Sequence, residues 1–495
     1  MKNIRVRFAP SPTGALHIGG LRTALYNYIF AKKHNGKFIL RIEDTDKDRF
    51  VVGAEKYIVE ALEWCGLSTD ESPYNVGKYG PYRQSDRKHL YDFYIQKLLE
   101  KGHAYYAFDT PTTVEEKRKQ MKKKGKIFTY NAKTRLQMNN SLSKETKNDS
   151  LELPYVIRFK TPKDKLIYVY DEIRGEIKIN TSSLDDKILV KSDGMTTYHL
   201  AHVVDDHLMK ITHVIRGEEW LSSMPLHILI YGAFEWEIPL FAHLPLILNT
   251  NGGGKLSKRY GGGPIFPLEW KDTKTISTGY REEGYFPEAI VNMLALLGWN
   301  PGKEKELFCL KKLEKKFYLK RVQKSGAIFN KEKAYWFNKQ YLQRKPIEHL
   351  MILFRKEFNK HGAYANDKDL IKVIKTVKNR VSFVQELWEN AYYFFIAPQT
   401  YDNKYITKIW GIDSFSILKN LQKILLKEED FSSSNLKKII KFFVYDNQLV
   451  LKQVLQTLRL ALVGNLKGGD IFLIMEILGK KETIERIKEI LLIMN

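Results

Sequence analysis

The sequence is poor in cysteine: Cys65 and Cys309 are the only two in 495 residues. Two cysteines cannot form a disulfide framework or a four-cysteine zinc site. No apolar run approaches the ~20 residues that a membrane-spanning helix requires, so we expect no membrane association. Acidic residues are also scarce relative to basic ones, because 81 Lys and Arg against 57 Asp and Glu leave a net charge of +24. That excess favours a polyanionic partner.

The length allows two to four domains, and 43% hydrophobic with 28% charged residues is typical of a soluble globular protein. The first three residues lead directly into a predicted strand, so we expect no signal peptide and a cytoplasmic location. Proline is rare towards the end, where only Pro346 and Pro398 follow Pro301. Leu, Ile, Lys and Glu at helical spacing dominate there, which predicts an all-helical C-terminal third.

The N-terminal part alternates between strand and helix patterns. A strand is predicted at Ile4–Ala9, a helix at His17–Lys33, a strand at Lys37–Ile42 and a helix at Gly53–Cys65. This order is typical of a parallel α/β sheet.

The pattern changes near His103. A charge run at Glu115–Lys126 and short alternating strands at Tyr155–Lys160, Leu166–Tyr170 and Glu176–Ile179 indicate an inserted domain. The α/β pattern resumes with Ile188–Val190, Thr197–Leu200, a strand at Ile211–Ile215, a helix at Met224–Trp236 and a strand at Leu244–Leu248.

The segment from Ile4 to Gly20 reads I-R-V-R-F-A-P-S-P-T-G-A-L-H-I-G-G. It predicts a strand, a proline-rich turn and a helix that begins at His17. Free N–H groups at a helix start favour phosphate oxygens, and Gly19 and Gly20 would let a nucleotide approach the backbone. The spacing excludes the G-x-G-x-x-G dinucleotide fingerprint.

A second segment, N-G-G-G-K-L-S-K-R, carries Lys255 and Lys258 and lies 238 positions beyond His17. Two ammonium groups on a glycine-rich loop can close over ATP and stabilise charge on its phosphates. It is not a Walker A loop, because Asn249 stands where the first glycine is required and Leu256 follows the lysine.

Acidic and basic side chains are predicted at one sheet edge. Glu43, Asp44 and Asp46 follow the second strand, where they could hold a metal, cap a helix or receive an ammonium group; helix capping is our interpretation for the two aspartates. Arg7 lies in the first strand and Arg216 ends a later one. Guanidinium groups pair with carboxylates in a bidentate way, which suits a dicarboxylic amino acid.

The two segments together resemble the HIGH and KMSKS signatures of class I aminoacyl-tRNA synthetases. P-S-P-T-G before the histidine and R-I-E-D-T-D after it resemble the glutamyl-tRNA synthetase family, and the similarity runs from Ile4 to about Trp299, with weaker matches beyond. The resemblance implies a glutamate pocket of Arg7, Ser11, Glu43, Tyr198, His202, Arg216 and Trp220. It implies an ATP site of His17, Gly19, Gly20, Glu219, Lys255, Ser257 and Lys258, with His17, Lys255 and Lys258 catalytic.

Two departures and one weak match accompany this resemblance. His202 stands where the family usually has asparagine, and its protonation would add charge beside the substrate. The stretch Tyr105–Asp109 has no cysteine where some members bind zinc, so we expect no zinc and no metal held by the protein. Arg380 falls where discriminating enzymes tend to place an anticodon-reading arginine, although an ordinary surface arginine is the alternative.

The resemblance implies an α/β fold: a Rossmann catalytic domain with an inserted α+β domain, followed by an all-helical region. We expect catalytic halves at 1–102 and 188–262, an acceptor-stem-binding insertion at 103–187, a stem-contact region at 263–330 and an anticodon-binding domain at 331–495. The implied function is ligation of L-glutamate to tRNA(Glu) with ATP and Mg²⁺, by a monomer.

Four alternatives stay open on the residues alone. They are a glutaminyl-tRNA synthetase, a truncated paralogue that modifies a tRNA nucleoside, a non-catalytic RNA-binding module, and an unrelated ATP-dependent ligase or nucleotidyltransferase. Whether tRNA(Gln) is also charged is not fixed by the sequence.

Overall fold

The computed structural model describes residues 3–46, 48–126, 128–131, 134–135, 154–249, 254–256, 263, 265, 279–302 and 304–494. The chain divides into two compact units, Met1–Ala334 and Tyr335–Asn495. No helix within the described ranges is both long and apolar enough to cross a membrane.

The first unit contains every strand that the structure describes. The strands are β1 (Arg5–Phe8), β2 (Lys37–Leu40), β3 (Ala104–Ala107), β4 (Val156–Phe159), β5 (Leu166–Asp171), β6 (Gly175–Asn180), β7 (Ile188–Val190), β8 (His213–Gly217), β9 (Leu240–Leu244), β10 (Ile247–Leu248) and β11 (Ala327–Ile328). The helices that begin and end in this unit are α1 (Ile18–Lys33), α2 (Ala54–Trp64), α3 (Lys88–Glu100), α4 (Pro111–Lys123), α5 (Tyr198–Leu208), α6 (Met224–Ala233), α7 (Pro287–Leu296) and α8 (Leu310–Lys316).

The remaining helices are α9 (Lys331–Arg344), α10 (Ile347–Lys360), α11 (Asp367–Val377), α12 (Glu386–Glu389), α13 (Asn403–Ile409), α14 (Ile412–Lys427), α15 (Ser433–Asp446), α16 (Leu451–Val463) and α17 (Ile471–Ile493). The described residues of the second unit contain no strand, which confirms the all-helical expectation.

Parallel pairing joins the strands that carry the predicted site. β1 is parallel to β2, and β8 is parallel to β9. The backbone N–H of Thr212 donates to the carbonyl of Arg5 at 2.9 Å, so the start of β8 lies beside β1. All four β1 residues are buried. The α/β class predicted for this part of the chain is therefore confirmed.

The antiparallel strands are distributed differently from the sequence-based expectation. β7 was expected to return to the parallel sheet, but it pairs antiparallel with β4, which also pairs with β3. The β5–β6 hairpin instead joins β9 through a parallel bridge between Asp171 and Phe241. The edge of the parallel sheet thus continues into the hairpin.

The structure assigns three segments that the sequence left general or predicted differently. Thr197–Leu200 is the N-cap and first turn of α5. Most of the charge run at Glu115–Lys126 lies in α4, which Thr110 caps by accepting from the backbone N–H of Thr113 at 3.2 Å. The predicted strand Leu244–Leu248 is split after Leu244, because proline at 245 has no N–H to donate.

Adjacent leucines near the end of α14 test the packing of the second unit. Leu425 is fully buried, whereas Leu426 is 52% exposed. Leu425→Ala should lower the free energy of unfolding of this unit by about 2–5 kcal/mol, since it removes apolar contacts and leaves a cavity. Leu426→Ala, the matched control, should cost less than about 1 kcal/mol. Urea denaturation with hydrogen exchange of the C-terminal helices measures both; equal losses would contradict the described packing.

Candidate active site

A cavity of about 820 Å³ opens at the ends of β1 and β8. Its lining includes the loop from Ala9 to Ala15, the first turn of α1 and residues around Lys255. Eleven of the predicted site residues line it: Arg7, Ser11, His17, Gly19, Gly20, Glu43, Tyr198, Arg216, Glu219, Trp220 and Lys255. Residues far apart in the chain therefore share one concave surface.

His17 caps the helix that it was predicted to begin. Its Nδ1 accepts from the backbone N–H groups of Gly19 at 3.1 Å and Gly20 at 3.4 Å. Because Nδ1 accepts, the proton of the neutral imidazole lies on Nε2 and is free to donate. Burial lowers the pKa of His17, and the charge of Lys255 lowers it further while Glu219 opposes this. The ring is therefore neutral near pH 7.

Gly19 and Gly20 contact His17 directly, which the sequence did not indicate. We predicted free N–H groups at this helix start, but His17 itself occupies two of them. A Cβ atom on Gly19 would lie 2.9 Å from Cε1 of His17, and one on Gly20 would lie 2.6 Å from Cδ1 of Leu16. Their small size thus makes room for the histidine ring and the core beneath it.

Arg7 and Glu43 belong to a buried ion-pair network. Nε of Arg7 donates to both carboxylate oxygens of Asp206 at 3.1 and 3.2 Å. Arg41 bridges Asp206 at 2.6 Å and Glu43 at 3.1 Å. Burial raises the pKa of Glu43, although Arg41 and Arg7 oppose that rise. Burial acts in the same direction on Asp206, but the two arginines prevail and lower its pKa.

Arg216 is buried at the end of β8 and has only neutral partners among the described residues. Its Nε donates to Nε2 of His243 at 3.0 Å, and one terminal nitrogen donates to the hydroxyl of Tyr198 at 3.0 Å. The other terminal nitrogen donates to the carbonyl of Trp220 at 3.3 Å. Within the described part of the chain no carboxylate forms an ion pair with it. An isolated buried charge is costly, so this guanidinium favours an anionic ligand.

His202 is not among the residues that line the cavity, and its expected contact with the substrate stays a prediction. It is fully buried between the two pocket arginines, with Nδ1 3.4 Å from Arg7 and Nε2 3.3 Å from Arg216. Burial and the charges of Arg216 and Arg7 hold its pKa well below the ordinary value. The expected protonation beside the substrate is therefore disfavoured, and a neutral ring separates the two cations.

Aromatic and acidic side chains complete the wall. The ring of Tyr198 lies 4.2 Å from that of Trp220, which is 38% exposed. Trp220 and Glu219 belong to a 3₁₀ segment, Glu218–Ser223. A Cβ at Gly217 would collide with the Glu219 carboxylate, so the glycine lets that carboxylate fold back over the chain.

Of the second predicted segment, the structure describes residues 254–256, which include Lys255. Leu248 and Lys255 form an antiparallel bridge, and the N–H of Leu256 donates to the carbonyl of Ile247 at 2.8 Å. This pairing brings Lys255 to the cavity. Ser257 and Lys258 lie outside the described residues.

Three other predicted residues are not among those that line the cavity. Asp44 accepts from the backbone N–H and hydroxyl of Ser85 at 2.8 and 2.7 Å, and Asp46 pairs with Arg49. Ser85 begins the 3₁₀ segment Ser85–Arg87 that leads into α3, so this contact fits the capping interpretation for Asp44, whereas Asp46 caps no helix among the described residues. In the second unit, Arg380 is exposed and donates to the carbonyl of Gly468.

Sequence reasoning missed the residues that hold the pocket arginines. Arg41 stood inside the R-I-E-D-T-D segment already singled out, and the two consecutive aspartates at 205 and 206 in an apolar helix could have indicated Asp206. His227 and His243 gave no such signal, because each is a lone histidine in an apolar element. No group of three His, Cys, Asp or Glu suited to a metal occurs among the described residues.

His199 provides a test of the neutral histidines around Arg216. Its Nδ1 lies 3.2 Å from Nε2 of His227, whose Nδ1 lies 3.2 Å from Arg216. Burial, aided by Lys187 and Arg216, lowers the pKa of His199 to about 4.

The unfolded chain takes up this proton near pH 6.5 but the folded site only near pH 4, so stability is lost as pH falls between these values. His199 alone should contribute a loss of about 2 kcal/mol by pH 5. Urea unfolding at pH 7.5 and 5.0 should show a correspondingly smaller pH dependence for His199→Gln. An unchanged dependence in the variant would refute this prediction.

Two family models match the chain. Residues 3–336 match the catalytic domain of class I tRNA synthetases (E and Q), and residues 343–491 match an anticodon binding domain. The glutamate–tRNA ligase of Flavobacterium psychrophilum is 53% identical, with 99% of each chain covered. That of Porphyromonas gingivalis is 51% identical, with 98% of each covered.

Solved structures agree with these relatives. A crystal structure of a glutamate tRNA ligase from Elizabethkingia meningosepticum in complex with its amino acid has a TM-score of 0.96 and 47% identity, with 100% of both chains covered. A glutamate–tRNA synthetase from Elizabethkingia anophelis has a TM-score of 0.92 and 47% identity, with 99% of both covered. The His17 and Lys255 segments line one cavity, and the similarity to these relatives extends over the full length. The chain therefore belongs to the glutamate–tRNA ligase family of class I aminoacyl-tRNA synthetases.

Proposed function

We propose that the cavity binds glutamate beside ATP and that Arg216 receives the side-chain carboxylate of glutamate. The observation that carries this proposal is the buried guanidinium of Arg216, whose described partners are all neutral. A ligand carboxylate would compensate this charge with bidentate hydrogen bonds.

The reaction is the attachment of L-glutamate to tRNA(Glu) in two steps. The α-carboxylate of glutamate attacks the α-phosphorus of ATP, which gives glutamyl adenylate and releases pyrophosphate. The glutamyl group then passes to the terminal adenosine of the tRNA, and AMP leaves. Such a reaction depends mainly on positioning and on neutralising charge.

The proposed glutamate contacts follow from charge. Arg7 and Arg216 face the side-chain carboxylate, and Glu43 receives the substrate ammonium group. Tyr198 and Trp220 pack beside the aliphatic part, and Ser11 supplies a hydroxyl at the rim. His202 acts through the arginines, since it lies outside the cavity lining. The network of Asp206 and Arg41 supports this arrangement, because its hydrogen bonds hold Arg7 and Glu43 in place.

The proposed ATP contacts lie at the start of α1 and on the second segment. Nε2–H of His17 donates to a phosphoryl oxygen as negative charge develops there. Lys255 and Lys258 neutralise phosphate charge, and Ser257 from the same segment offers a hydroxyl donor to a phosphate oxygen. Gly19 and Gly20 keep the His17 ring in position, and Glu219 lies towards the adenosine.

Mg²⁺ enters with ATP and offsets phosphate charge. We propose binding of Mg²⁺ together with ATP because the described residues hold no cluster of three acidic, histidine or cysteine side chains that would bind the ion alone. The proposal includes no zinc.

The remaining parts of the chain are assigned to tRNA. Residues 103–187 would bind the acceptor stem, 263–330 would contact the stem and 331–495 would read the anticodon, with Arg380 as a candidate reader. The excess of 24 positive charges supports a large phosphate contact surface. We place the enzyme in the cytoplasm as a monomer.

Pyrophosphate exchange tests the substrate assignment. Exchange of labelled pyrophosphate into ATP should occur with glutamate, not glutamine, and only when tRNA is present. Arg216→Ala should reduce kcat/KM for glutamate by roughly 10²–10³-fold, because the substrate carboxylate loses a buried charged partner. Its affinity for tRNA, measured by filter binding, should stay nearly unchanged.

Arg49→Ala is the control for lost positive charge, since this arginine side chain is 74% exposed and faces only Asp46. It should leave exchange unaltered. Normal exchange in Arg216→Ala with weakened tRNA binding would refute the pocket assignment, and exchange with glutamine alone would favour a glutaminyl enzyme.

Gly19→Ala tests the role of His17. The added Cβ would lie 2.9 Å from the imidazole, so the ring must leave its cap position. We expect the exchange rate to fall by roughly 10²–10³-fold, the usual loss when one transition-state donor is removed. Gly232→Ala is the matched control, because this glycine is exposed in α6 with open space around its Cβ position. Full activity in Gly19→Ala would contradict the assignment of His17.

A further inference from the structure

We propose that Asp171 and His243 are positioning residues that orient Arg216 for the substrate carboxylate. This inference rests on the proposed function, in which Arg216 receives glutamate. Neither residue lines the cavity. The observation behind it is a continuous hydrogen-bonded row, Asp171 to His243 to Arg216, that joins the β5–β6 hairpin to the pocket.

Asp171 is rigidly held at the end of β5. Its side chain is fully buried, and one carboxylate oxygen accepts from the backbone N–H groups of Ile173 at 3.0 Å and Arg174 at 2.8 Å. The other accepts from the backbone N–H of His243 at 3.1 Å and from its Nδ1 at 2.7 Å. Burial alone would raise the pKa of Asp171, but these hydrogen bonds lower it below its ordinary value. The aspartate is therefore an ionised acceptor.

The tautomer of His243 follows from its two neighbours. An ionised carboxylate can only accept, so Nδ1 carries the imidazole proton. A guanidinium can only donate, so Nε2 presents its lone pair to Nε of Arg216 at 3.0 Å. Burial and the charge of Arg216 lower the pKa of His243 despite the opposing effect of Asp171. The ring is neutral, and every group in the row is satisfied.

This arrangement differs from that of Arg7, which also lines the cavity, and of Arg41 beside it. Arg7 and Arg41 pair directly with Asp206, and these ion pairs compensate their charge. Asp171 is held one imidazole ring away from Arg216 and therefore fixes its orientation without forming an ion pair with it. The charge of Arg216 stays available to a ligand carboxylate.

His243 is the partner that defines the plane of the guanidinium. It alone among the described contacts binds Nε, whereas Tyr198, His202 and His227 all approach one terminal nitrogen. Arg174 reinforces the strand that carries His243, since its Nε donates to the His243 carbonyl at 3.4 Å and it pairs with Glu218.

Two amide substitutions distinguish the roles of the two ring nitrogens of His243. The carboxamide of His243→Gln reaches the position of Nε2 and can still accept from Arg216. That of His243→Asn reaches the position of Nδ1, so it can still donate to Asp171 but leaves Nε of Arg216 without its acceptor. Both remove the ring, so they are matched in lost aromatic packing.

Pyrophosphate exchange with the full chain and tRNA measures the effect. His243→Asn should raise KM for glutamate by roughly 10- to 100-fold, the usual result of leaving a buried charged donor unpaired. KM for ATP should stay within about twofold, and His243→Gln should restore most of the glutamate KM. Thermal unfolding of both variants checks the fold.

Several outcomes would overturn the proposal. One is a normal KM for glutamate in His243→Asn. Another is an equal rise of this KM in His243→Gln, because it would show that His243 acts through packing alone. If both variants fail to fold, nitrogen NMR of histidine-labelled wild-type protein decides, because an Nε2–H tautomer of His243 would exclude the row. If Arg216→Ala loses exchange activity while His243→Asn keeps a normal KM for glutamate, only the positioning role of Asp171 and His243 is rejected. If Arg216→Ala keeps a normal kcat/KM for glutamate, the proposed function itself is rejected.

Discussion

The pairing of buried charges constrains the catalytic unit more than any other interaction. Asp205 and Asp206 are consecutive residues of α5, and both are almost completely buried. Asp206 binds Arg7 and Arg41, while Asp205 accepts from Arg87 at 2.6 Å. Because an unpaired buried charge is far costlier than a paired one, these ion pairs fix α5 against β1, the end of β2 and the start of α3. The cavity lies where those elements meet.

Arg216 is also buried at this cavity, but no carboxylate of the described residues pairs with it, and the proposed selectivity of the site rests on this. Its described partners are imidazoles, a phenol and a carbonyl, none of which adds negative charge. Burial keeps His202 and His227 neutral by holding their pKa values well below the ordinary value. The surroundings therefore orient the guanidinium and leave its charge to be compensated by the ligand.

The sequence predicts those parts of the site whose chemistry is local. His17 and its glycines form one short segment, and Lys255 belongs to another, so motif and spacing indicate them. Arg216 and Glu43 follow from their positions at strand ends. Asp171 and His243 could not be predicted, because they lie 72 positions apart and neither has a local pattern. The same holds for the strand pairing: β5 meets β9 only through the three-dimensional path of the chain, which periodicity does not encode.

Discrimination between glutamate and glutamine follows from the same physics. In the proposed site, glutamate would bring a carboxylate to Arg216 and Arg7, so each new hydrogen bond would be charge-assisted and Arg216 would gain a counter-ion. Glutamine brings one oxygen and an NH₂ group, and that NH₂ would face guanidinium donors that cannot accept. A site that leaves buried polar groups unpaired rejects the wrong analogue by roughly 10⁴–10⁵-fold. This selectivity requires that no protein carboxylate swing in to neutralise Arg216, because a neutral pair would bind either side chain. Holding Asp171 behind a neutral imidazole meets that requirement.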